Sequence, residues 1–270
     1  MSRIKALFYS FWFVATVMVV IVLMWAKNSS HRTFRRMWGR WQRYAVGYDI
    51  EIIGSPDPQV GLFIANHQSI MDIVVLEETH PANICWIAKK EIGELPIIGK
   101  ILTLPKMIAV DRKNPRELVR IVHEVDDRIK NGRAIVMFPE GTRHRGTKML
   151  KFQNGAKMIA NKLGLKVQPI VLIGTGAIAD SKEFRVRSGH VKIIYLDPVD
   201  TSDSVWLENT RAKMQAIIDE HENSGQNSTQ NLAENSEISA QNSAQNSEIS
   251  AQNSTQNSEQ NSANNSSEQC

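Results

Sequence analysis

The chain has 270 residues, 42% of them hydrophobic, which is enough for one ordinary domain with appended segments. Its two cysteines exclude a disulfide framework, because Cys85 stands in an apolar run and Cys270 ends a polar tail. The formal net charge is +4, but five glutamates and no Lys or Arg follow Asn223, so the preceding part carries about +9. Such an excess of positive charge suits anionic lipid, phosphate or nucleic acid.

A run of 21 uncharged residues, Ala6 to Ala26, lies close to the N-terminus. As a helix it is about 30 Å long, which matches the hydrocarbon core of a bilayer. A cleaved signal peptide would also begin with basic residues such as Arg3 and Lys5, but this run is too long and no small-residue cleavage site follows Trp25. The sequence therefore predicts an uncleaved membrane anchor, which favours lipid over nucleic acid as the partner.

The segment from His31 to Tyr44 combines aromatic and basic side chains at helical spacing, including Phe34, Trp38 and Trp41 with Arg35 and Arg40. This pattern predicts an interfacial helix, with aromatic rings at the acyl boundary and arginines at lipid phosphates. The alternative is an ordinary amphipathic helix packed on the domain. Basic residues here outnumber those before the anchor, so the positive-inside rule predicts a membrane protein whose globular part faces the cytoplasm, at the inner membrane in a bacterium.

Strand-like and helix-like segments alternate through the rest of the chain. Strands are predicted at residues 48–53, 61–65, 84–88, 107–110, 134–138, 167–173 and 191–196. Helices are predicted at residues 69–79, 115–130, 149–163 and 204–222. This alternation predicts an α/β fold with a mostly parallel sheet flanked by helices.

Three segments follow from these patterns: residues 1–46 hold the membrane anchor and basic helix, residues 47–222 form the globular domain, and residues 223–270 form a low-complexity tail. The tail contains NSEISAQNS twice, beginning at Asn235 and Asn246. Its Asn, Gln and Ser content buries too little apolar surface to offset the entropy of ordering, so we expect disorder.

The segment GLFIANHQSIMD, residues 61–72, places His67 and Asp72 at the C-terminal end of a predicted strand, where α/β sheets gather catalytic groups. Positions five apart do not share a helical face, so we expect His67 in the loop, Ser69 as the N-cap and Asp72 in the first helical turn. Histidine suits general-base activation of an alcohol, and a carboxylate on its other nitrogen fixes the tautomer. Alternatively, Asp72 only completes a capping box with Ser69.

A second segment with reactive side chains, FPEGTR at residues 138–143, follows another apolar strand. Gly141 permits close backbone approach, and Arg143 offers a planar fork for phosphate oxygens. A plain turn with a surface pair between Glu140 and Arg143 would explain the same residues. Two further basic stretches lie between these segments: KKEIGELPIIG, which begins at Lys89, and VDR, which ends at Arg112.

Four segments of the chain resemble, in the same order, the four sequence blocks of the 1-acylglycerol-3-phosphate, or lysophosphatidate, acyltransferase family, which belongs to the glycerolipid acyltransferase superfamily. These segments are NHQSIMD, KKEIGELPIIG with VDR, FPEGTR and VQPI (167–170). The resemblance covers about residues 48–196. It implies that His67 is the general base and Asp72 its partner. The substrate-phosphate site that it implies consists of Lys89, Arg112, Glu140, Gly141 and Arg143.

The resemblance implies acyl transfer from a thioester, acyl-CoA or acyl-carrier protein, to the sn-2 hydroxyl of lysophosphatidic acid, giving phosphatidic acid for phospholipid synthesis. No cofactor, metal or nucleic acid is implied; the partners are the two substrates and membrane phospholipids. No G-x-S-x-G elbow occurs and Cys85 lies in a predicted strand, which favours direct attack by the substrate hydroxyl. Alternatives are another lysophospholipid acceptor, thioester or phosphoester hydrolysis, non-catalytic lipid binding, or a metal at His67, Asp72 and His144, for which the usual spacings are absent.

Overall fold

The computed structural model describes residues 2–111, 114–180, 183 and 185–223. Two long helices come first, and shorter strands and helices then alternate. The helices are α1 (Ser2–Ala26), α2 (His31–Val46), α3 (Met71–Thr79), α4 (Lys90–Gly93), α5 (Lys100–Thr103), α6 (Leu118–Lys130), α7 (Gly155–Leu163) and α8 (Thr175–Ile178); residues 206–223 are also helical. The strands are β1 (Tyr48–Ile53), β2 (Leu62–Ala65), β3 (Asn83–Lys89), β4 (Ile108–Val110), β5 (Arg133–Met137), β6 (Val167–Ile173), β7 (Ala179–Asp180), β8 (Arg185–Val186) and β9 (Gly189–Tyr195).

Within the described residues, seven strands form one sheet in the order β1-β9-β6-β2-β5-β3-β4. Every pairing is parallel except that of β6 with β9. The predicted α/β class with a mostly parallel sheet is therefore confirmed. Because β2 to β6 run in one direction, the segments that follow them meet at one edge of the sheet, where parallel sheets place their reactive groups.

The central strands are almost entirely apolar because both faces of the sheet are covered. All four residues of β2 are buried, and so are six of the seven residues of β6. The one amide among them, Gln168, is satisfied: its Oε1 accepts from the Asp57 N–H at 2.8 Å, and its Nε2 donates to the carbonyls of Ser55 and Leu196. Strands that are buried on both faces appear in the sequence as continuous hydrophobic runs and not as alternating patterns. Their positions could therefore be predicted from these runs.

Helix α1 contains the single stretch, Ile4–Ala26, that is long and apolar enough to cross a membrane among the described residues. One face packs on α2: the rings of Phe13 and Trp38 meet edge to face at 5.2 Å, and Gln42 Nε2 donates to Thr16 Oγ1 at 2.9 Å. The opposite face is apolar and exposed, for example at Phe11 and Trp25. This helix is compatible with membrane anchoring.

Helix α2 is amphipathic as predicted, but it does not present all of its side chains to the outside. Trp38 is buried against α1, and Arg35 is buried in an ion pair with Glu77 of α3 at 2.5 Å. The interfacial interpretation is therefore wrong for these two residues, because each has found a partner inside the protein. Arg40 and Tyr44 remain exposed.

The predicted strands agree with the observed ones to within two residues at each end, and the helices predicted from Ser69 and Ser204 begin two residues later than predicted. The helix predicted from Pro115 begins with a 3-10 turn, Pro115–Glu117, before α6, and one predicted helix start is displaced further. The helix expected from Met149 begins only at Gly155, because the N–H groups of Leu150 and Gln153 bond to Glu140 Oε2 and the Pro139 carbonyl instead. The helix expected from Ser69 begins at Met71 and has Ile70 as its N-cap. The tail beyond Asn223 lies outside the described residues.

Candidate active site

The chain leaving β2 is fixed to its neighbour immediately before His67. Asn66 is buried, and its side chain bonds to both main-chain groups of Leu172 in β6, with Nδ2 to O at 2.8 Å and N to Oδ1 at 2.7 Å. A side-chain amide can thus replace a strand pairing just where the regular ladder ends. His67 therefore starts from a rigid point.

His67 and Asp72 form a hydrogen-bonded pair, with 2.8 Å between Nδ1 and Oδ2. His67 lies in the loop and Asp72 in the first turn of α3, as predicted. The same Oδ2 also accepts the N–H groups of Gln68 at 2.7 Å and Ser69 at 2.8 Å. Asp72 can therefore orient the imidazole and bond the N–H groups that precede α3, because one oxygen does both. The reciprocal half of a capping box is not formed, since the Asp72 N–H donates to the Ser69 carbonyl and not to its hydroxyl. With Nδ1 donating to Asp72, Nε2 is the ring nitrogen free to accept a proton.

Glu140 is buried behind His67 and braces its main chain. Oε1 accepts from the His67 N–H at 2.7 Å, and Oε2 accepts from the Leu150 N–H at 2.9 Å. Burial raises the pKa of this carboxyl, while the two N–H groups and the nearby imidazoles of His67 and His144 oppose the rise. Its carboxylate is thus occupied by the protein, which differs from the expectation that it binds phosphate, since a carboxylate repels an anion.

The segment after β5 folds back around His67. The Gly141 N–H closes a turn onto the Phe138 carbonyl at 3.0 Å, with Gly141 at φ 77°, a region that favours glycine. The His144 N–H then donates to the His67 carbonyl at 2.9 Å. Both main-chain groups of His67 are therefore held by the FPEGTR region, one by the Glu140 side chain and one by the His144 backbone.

Two of the predicted cationic residues, Lys89 and Arg143, lie at the same edge of the sheet but toward solvent. Lys89 ends β3, is half exposed, and its Nζ lies 3.1 Å from Glu91 Oε1. Arg143 is exposed in the loop after β5. Arg112 follows β4 but lies outside the described residues.

The chain is similar to known acyltransferases along most of its length. A family model described as Acyltransferase matches residues 52–173. Over 219 residues the chain is 37% identical to the 1-acyl-sn-glycerol-3-phosphate acyltransferase of Helicobacter pylori, which covers 79% of this chain and 92% of that protein. The chain belongs to the 1-acyl-sn-glycerol-3-phosphate acyltransferase family.

A second relative agrees with this membership, and a solved structure shares the fold. The 1-acyl-sn-glycerol-3-phosphate acyltransferase of Cocos nucifera is 30% identical over 213 residues, covering 76% of this chain and 68% of that protein. The crystal structure of the 1-acyl-sn-glycerophosphate (LPA) acyltransferase PlsC from Thermotoga maritima superposes with a TM-score of 0.66 at 24% identity, covering 82% of this chain and 98% of that one. This structural likeness shows that the acyltransferase fold is shared.

Three contributions to the site of this acyltransferase were missed by sequence reasoning. Asn66 lies in the NHQSIMD motif and Glu140 in the FPEGTR motif. Their hydrogen-bond partners, Leu172 and the main chain of His67, are distant in the sequence, so no local pattern indicates these contacts. Phe138 is the first residue of the FPEGTR motif, and its ring stacks on the imidazole of His67 with centroids 3.8 Å apart. A strand that ends on an aromatic residue beside the strand leading to a catalytic histidine could have suggested this contact.

Replacing Asp72 by Asn separates the two tasks of its Oδ2. An amide oxygen can still accept N–H groups, but a neutral amide cannot stabilise an imidazolium, so we expect kcat to fall roughly two to four orders of magnitude. The free energy of unfolding should change by only about 1–2 kcal/mol. Turnover and denaturant unfolding measure the two effects on one preparation.

Asp203→Asn is the matched control for Asp72→Asn, because Asp203 Oδ1 accepts the Val205 N–H at the start of another helix, without a histidine. This control should lose a little stability and no turnover. If Asp72→Asn behaves like Asp203→Asn, Asp72 is a helix cap only.

Proposed function

We propose that this acyltransferase transfers a fatty acyl group from a thioester donor to the sn-2 hydroxyl of lysophosphatidic acid, producing phosphatidic acid. The observation that carries the proposal is the hydrogen bond between His67 and Asp72, at the edge of the sheet where cationic side chains also lie. The names of the relatives, 1-acyl-sn-glycerol-3-phosphate acyltransferases, support this choice of acceptor.

In the proposed mechanism, Nε2 of His67 accepts the proton of the acceptor hydroxyl as its oxygen attacks the thioester carbonyl. A C–O bond forms, and the resulting tetrahedral intermediate collapses with cleavage of the C–S bond. The imidazolium returns its proton to the departing thiolate, so the histidine ends as it began. Asp72 holds the ring through Nδ1 and stabilises the transient positive charge.

Lys89, Arg143 and Arg112 are proposed to bind the acceptor phosphate, with Gly141 allowing close backbone approach. An exposed pair such as Lys89 with Glu91 is worth only about 0–1 kcal/mol, so a phosphate dianion can displace the carboxylate. A guanidinium can hold two phosphate oxygens at once. Acyl-CoA and acyl-carrier protein both present the required thioester, and the proposal holds for either donor.

The first test compares the full-length protein with His67→Ala in lipid micelles, using labelled acyl-CoA or acyl-carrier protein and several lysolipids. The wild type should form phosphatidic acid from lysophosphatidic acid in preference to uncharged or zwitterionic lysolipids. His67→Ala should retain its fold while kcat falls roughly two to four orders of magnitude.

His144→Ala is the matched control for His67→Ala, because His144 bonds to His67 through its backbone N–H rather than its imidazole. Full turnover by His67→Ala would exclude His67 as the base. Release of free fatty acid in place of phosphatidic acid would identify a hydrolase instead.

The second test concerns Arg143. Loss of one charge-assisted contact costs about 1.5–3 kcal/mol, so Arg143→Ala should raise the Michaelis constant for lysophosphatidic acid about ten- to a hundred-fold. Arg143→Lys should recover only part of this loss, because an ammonium cannot replace the planar fork. The constant for the donor should change less, and a kinetic matrix in both substrates measures the difference.

Arg145→Ala is the matched control for Arg143→Ala, since Arg145 is exposed two residues away but is paired with Asp180 and Glu183. It should leave both Michaelis constants almost unchanged. If Arg143→Ala raises only the constant for the donor, Arg143 binds the donor and not the acceptor phosphate.

We further propose that the domain lies on the cytoplasmic face of the membrane, because α2 and the turn before it carry exposed cations such as Lys27 and Arg40. Lys162, exposed on α7, can be replaced by Cys in a Cys270→Ser background; the remaining Cys85 is fully buried. A membrane-impermeant maleimide should label this variant in inverted bacterial vesicles but not in intact spheroplasts. Labelling only in spheroplasts would reverse the orientation, and Cys270→Ser alone should stay unlabelled in both.

A further inference from the structure

Three flat rings, the imidazole of the reactive histidine and two aromatic rings beneath it, lie almost parallel across neighbouring strands. The His67 imidazole stacks on Phe138 with centroids 3.8 Å apart and an interplanar angle of 7°. Phe138 in turn stacks on Trp86 of β3, at 5.3 Å and 17°. The order of β2, β5 and β3 in the sheet brings these rings together in sequence.

The last ring of the stack is fixed by a buried ion pair. Trp86 Nε1 donates to Glu77 Oε1 at 2.8 Å, and the same oxygen accepts Nη1 of Arg35 at 2.5 Å. Arg35 also donates through Nη2 to Asn83 Oδ1 at 2.7 Å. Arg35 and Glu77 are 4% and 6% exposed, so this is a built interior contact between α2, α3 and β3.

A stack and a hydrogen bond constrain a ring in different ways. The bond from Nδ1 to Asp72 fixes one atom of the imidazole but permits tilting about that atom. The face of Phe138 sets the plane of the ring, and with it the direction of Nε2. Stacking alone is weakly directional, so a ring with a hydrogen-bonded handle, such as Trp86, is needed to hold the stack in place.

We propose that Arg35, Glu77 and Trp86 are positioning residues for the acyl transfer, which hold the plane of the His67 imidazole through Phe138. Through these three residues, the packing of α2 on the domain determines the direction in which Nε2 of His67 points. The proposal rests on His67 being that base. None of the three touches substrate in this scheme, so their effect is on kcat and not on substrate binding.

The chain supplies a comparison for this network. Arg43 and Glu78 join the same two helices, α2 and α3, with 3.4 Å between Nη1 and Oε1. That pair makes no ring contact with the stack among the described residues, and Arg43 is 39% exposed. If the packing of α2 contributed only to stability, removing the carboxylate of Glu77 should change kcat as much as removing the carboxylate of Glu78.

Trp86→Phe is the principal test, because it keeps a flat ring and leaves Arg35 paired with Glu77. A displacement of about 1 Å at the base is enough for a large loss of rate, so we expect kcat to fall about ten- to a hundred-fold. Both Michaelis constants should stay within about twofold of the wild type. Trp206→Phe is the control: this Trp is also buried, and its Nε1 has no protein partner among the described residues. It should leave kcat unchanged.

Substitutions at Glu77 test the same hydrogen bond by changing its acceptor, where Trp86→Phe removes its donor. Glu77→Gln keeps an acceptor oxygen and should preserve most of kcat even where it lowers the melting temperature. Glu77→Met removes the acceptor and should reproduce the kcat loss of Trp86→Phe, whereas Glu78→Met should not. If Glu77→Met does not fold, the Trp86→Phe result decides alone.

A double-mutant cycle tests the path through Phe138. Phe138→Leu should lower kcat, and adding Trp86→Phe should cause no further loss, because the stack is already broken. If Phe138→Leu and Trp86→Phe lower kcat by factors that multiply in the double variant, or if Trp86→Phe leaves kcat unchanged, the positioning proposal is wrong. Either result would leave His67 as the base. Full turnover by His67→Ala would instead remove the base itself, so the two failures are distinguishable.

Discussion

One carboxylate oxygen, Oδ2 of Asp72, accepts three hydrogen bonds, from His67 Nδ1 and from the N–H groups of Gln68 and Ser69. Asp72 is fully buried, and taking an ionised carboxylate out of water costs several kcal/mol. Three charge-assisted bonds of about 1.5–3 kcal/mol each can offset that cost. The loop from His67 to Ser69 is therefore wrapped around the carboxylate, and the start of α3, the orientation of the imidazole and the free Nε2 all follow from this contact.

The second buried carboxylate, Glu140, does for the main chain of His67 what Asp72 does for its side chain. It joins the loop after β2 to the loop after β5, two strands that are neighbours in the sheet although 73 residues separate the partners. Since the Leu150 N–H takes the other oxygen, the FPEGTR segment and the approach to α7 are drawn into the same arrangement. His67 is thus held by the fold on three sides: by α3, by the loop after β5 and, through Asn66, by β6.

Sequence patterns predicted the seven strands of the large sheet, the α/β class and the pairing of His67 with Asp72, because each is a local signal: an apolar run, an alternation or a short spacing. They did not predict the two short strands β7 and β8. They did not predict which arginine of α2 would be buried. Arg35, Arg36 and Arg40 look equivalent in the sequence, and only contact with α3 and β3 selects Arg35. Losing one partner of such a buried pair costs about 3–5 kcal/mol, so the choice is energetically large yet invisible to periodicity. The two bonds that Glu140 accepts were likewise not predicted, since its motif shows the carboxylate but not the two distant N–H groups.

The distribution of charge suggests how the acceptor enters. Carboxylates at the floor of the site, Asp72 and Glu140, are buried and repel an anion, whereas Lys89 and Arg143 are exposed at its rim. A phosphate dianion therefore gains the most binding free energy at the rim. There it can contact a cation without being taken out of water into the protein interior. In the proposed mechanism it is the uncharged glycerol hydroxyl that goes deeper, toward Nε2 of His67. In that mechanism the phosphate fixes one end of the acceptor and His67 the other, so the spacing between hydroxyl and phosphate would be part of the recognition.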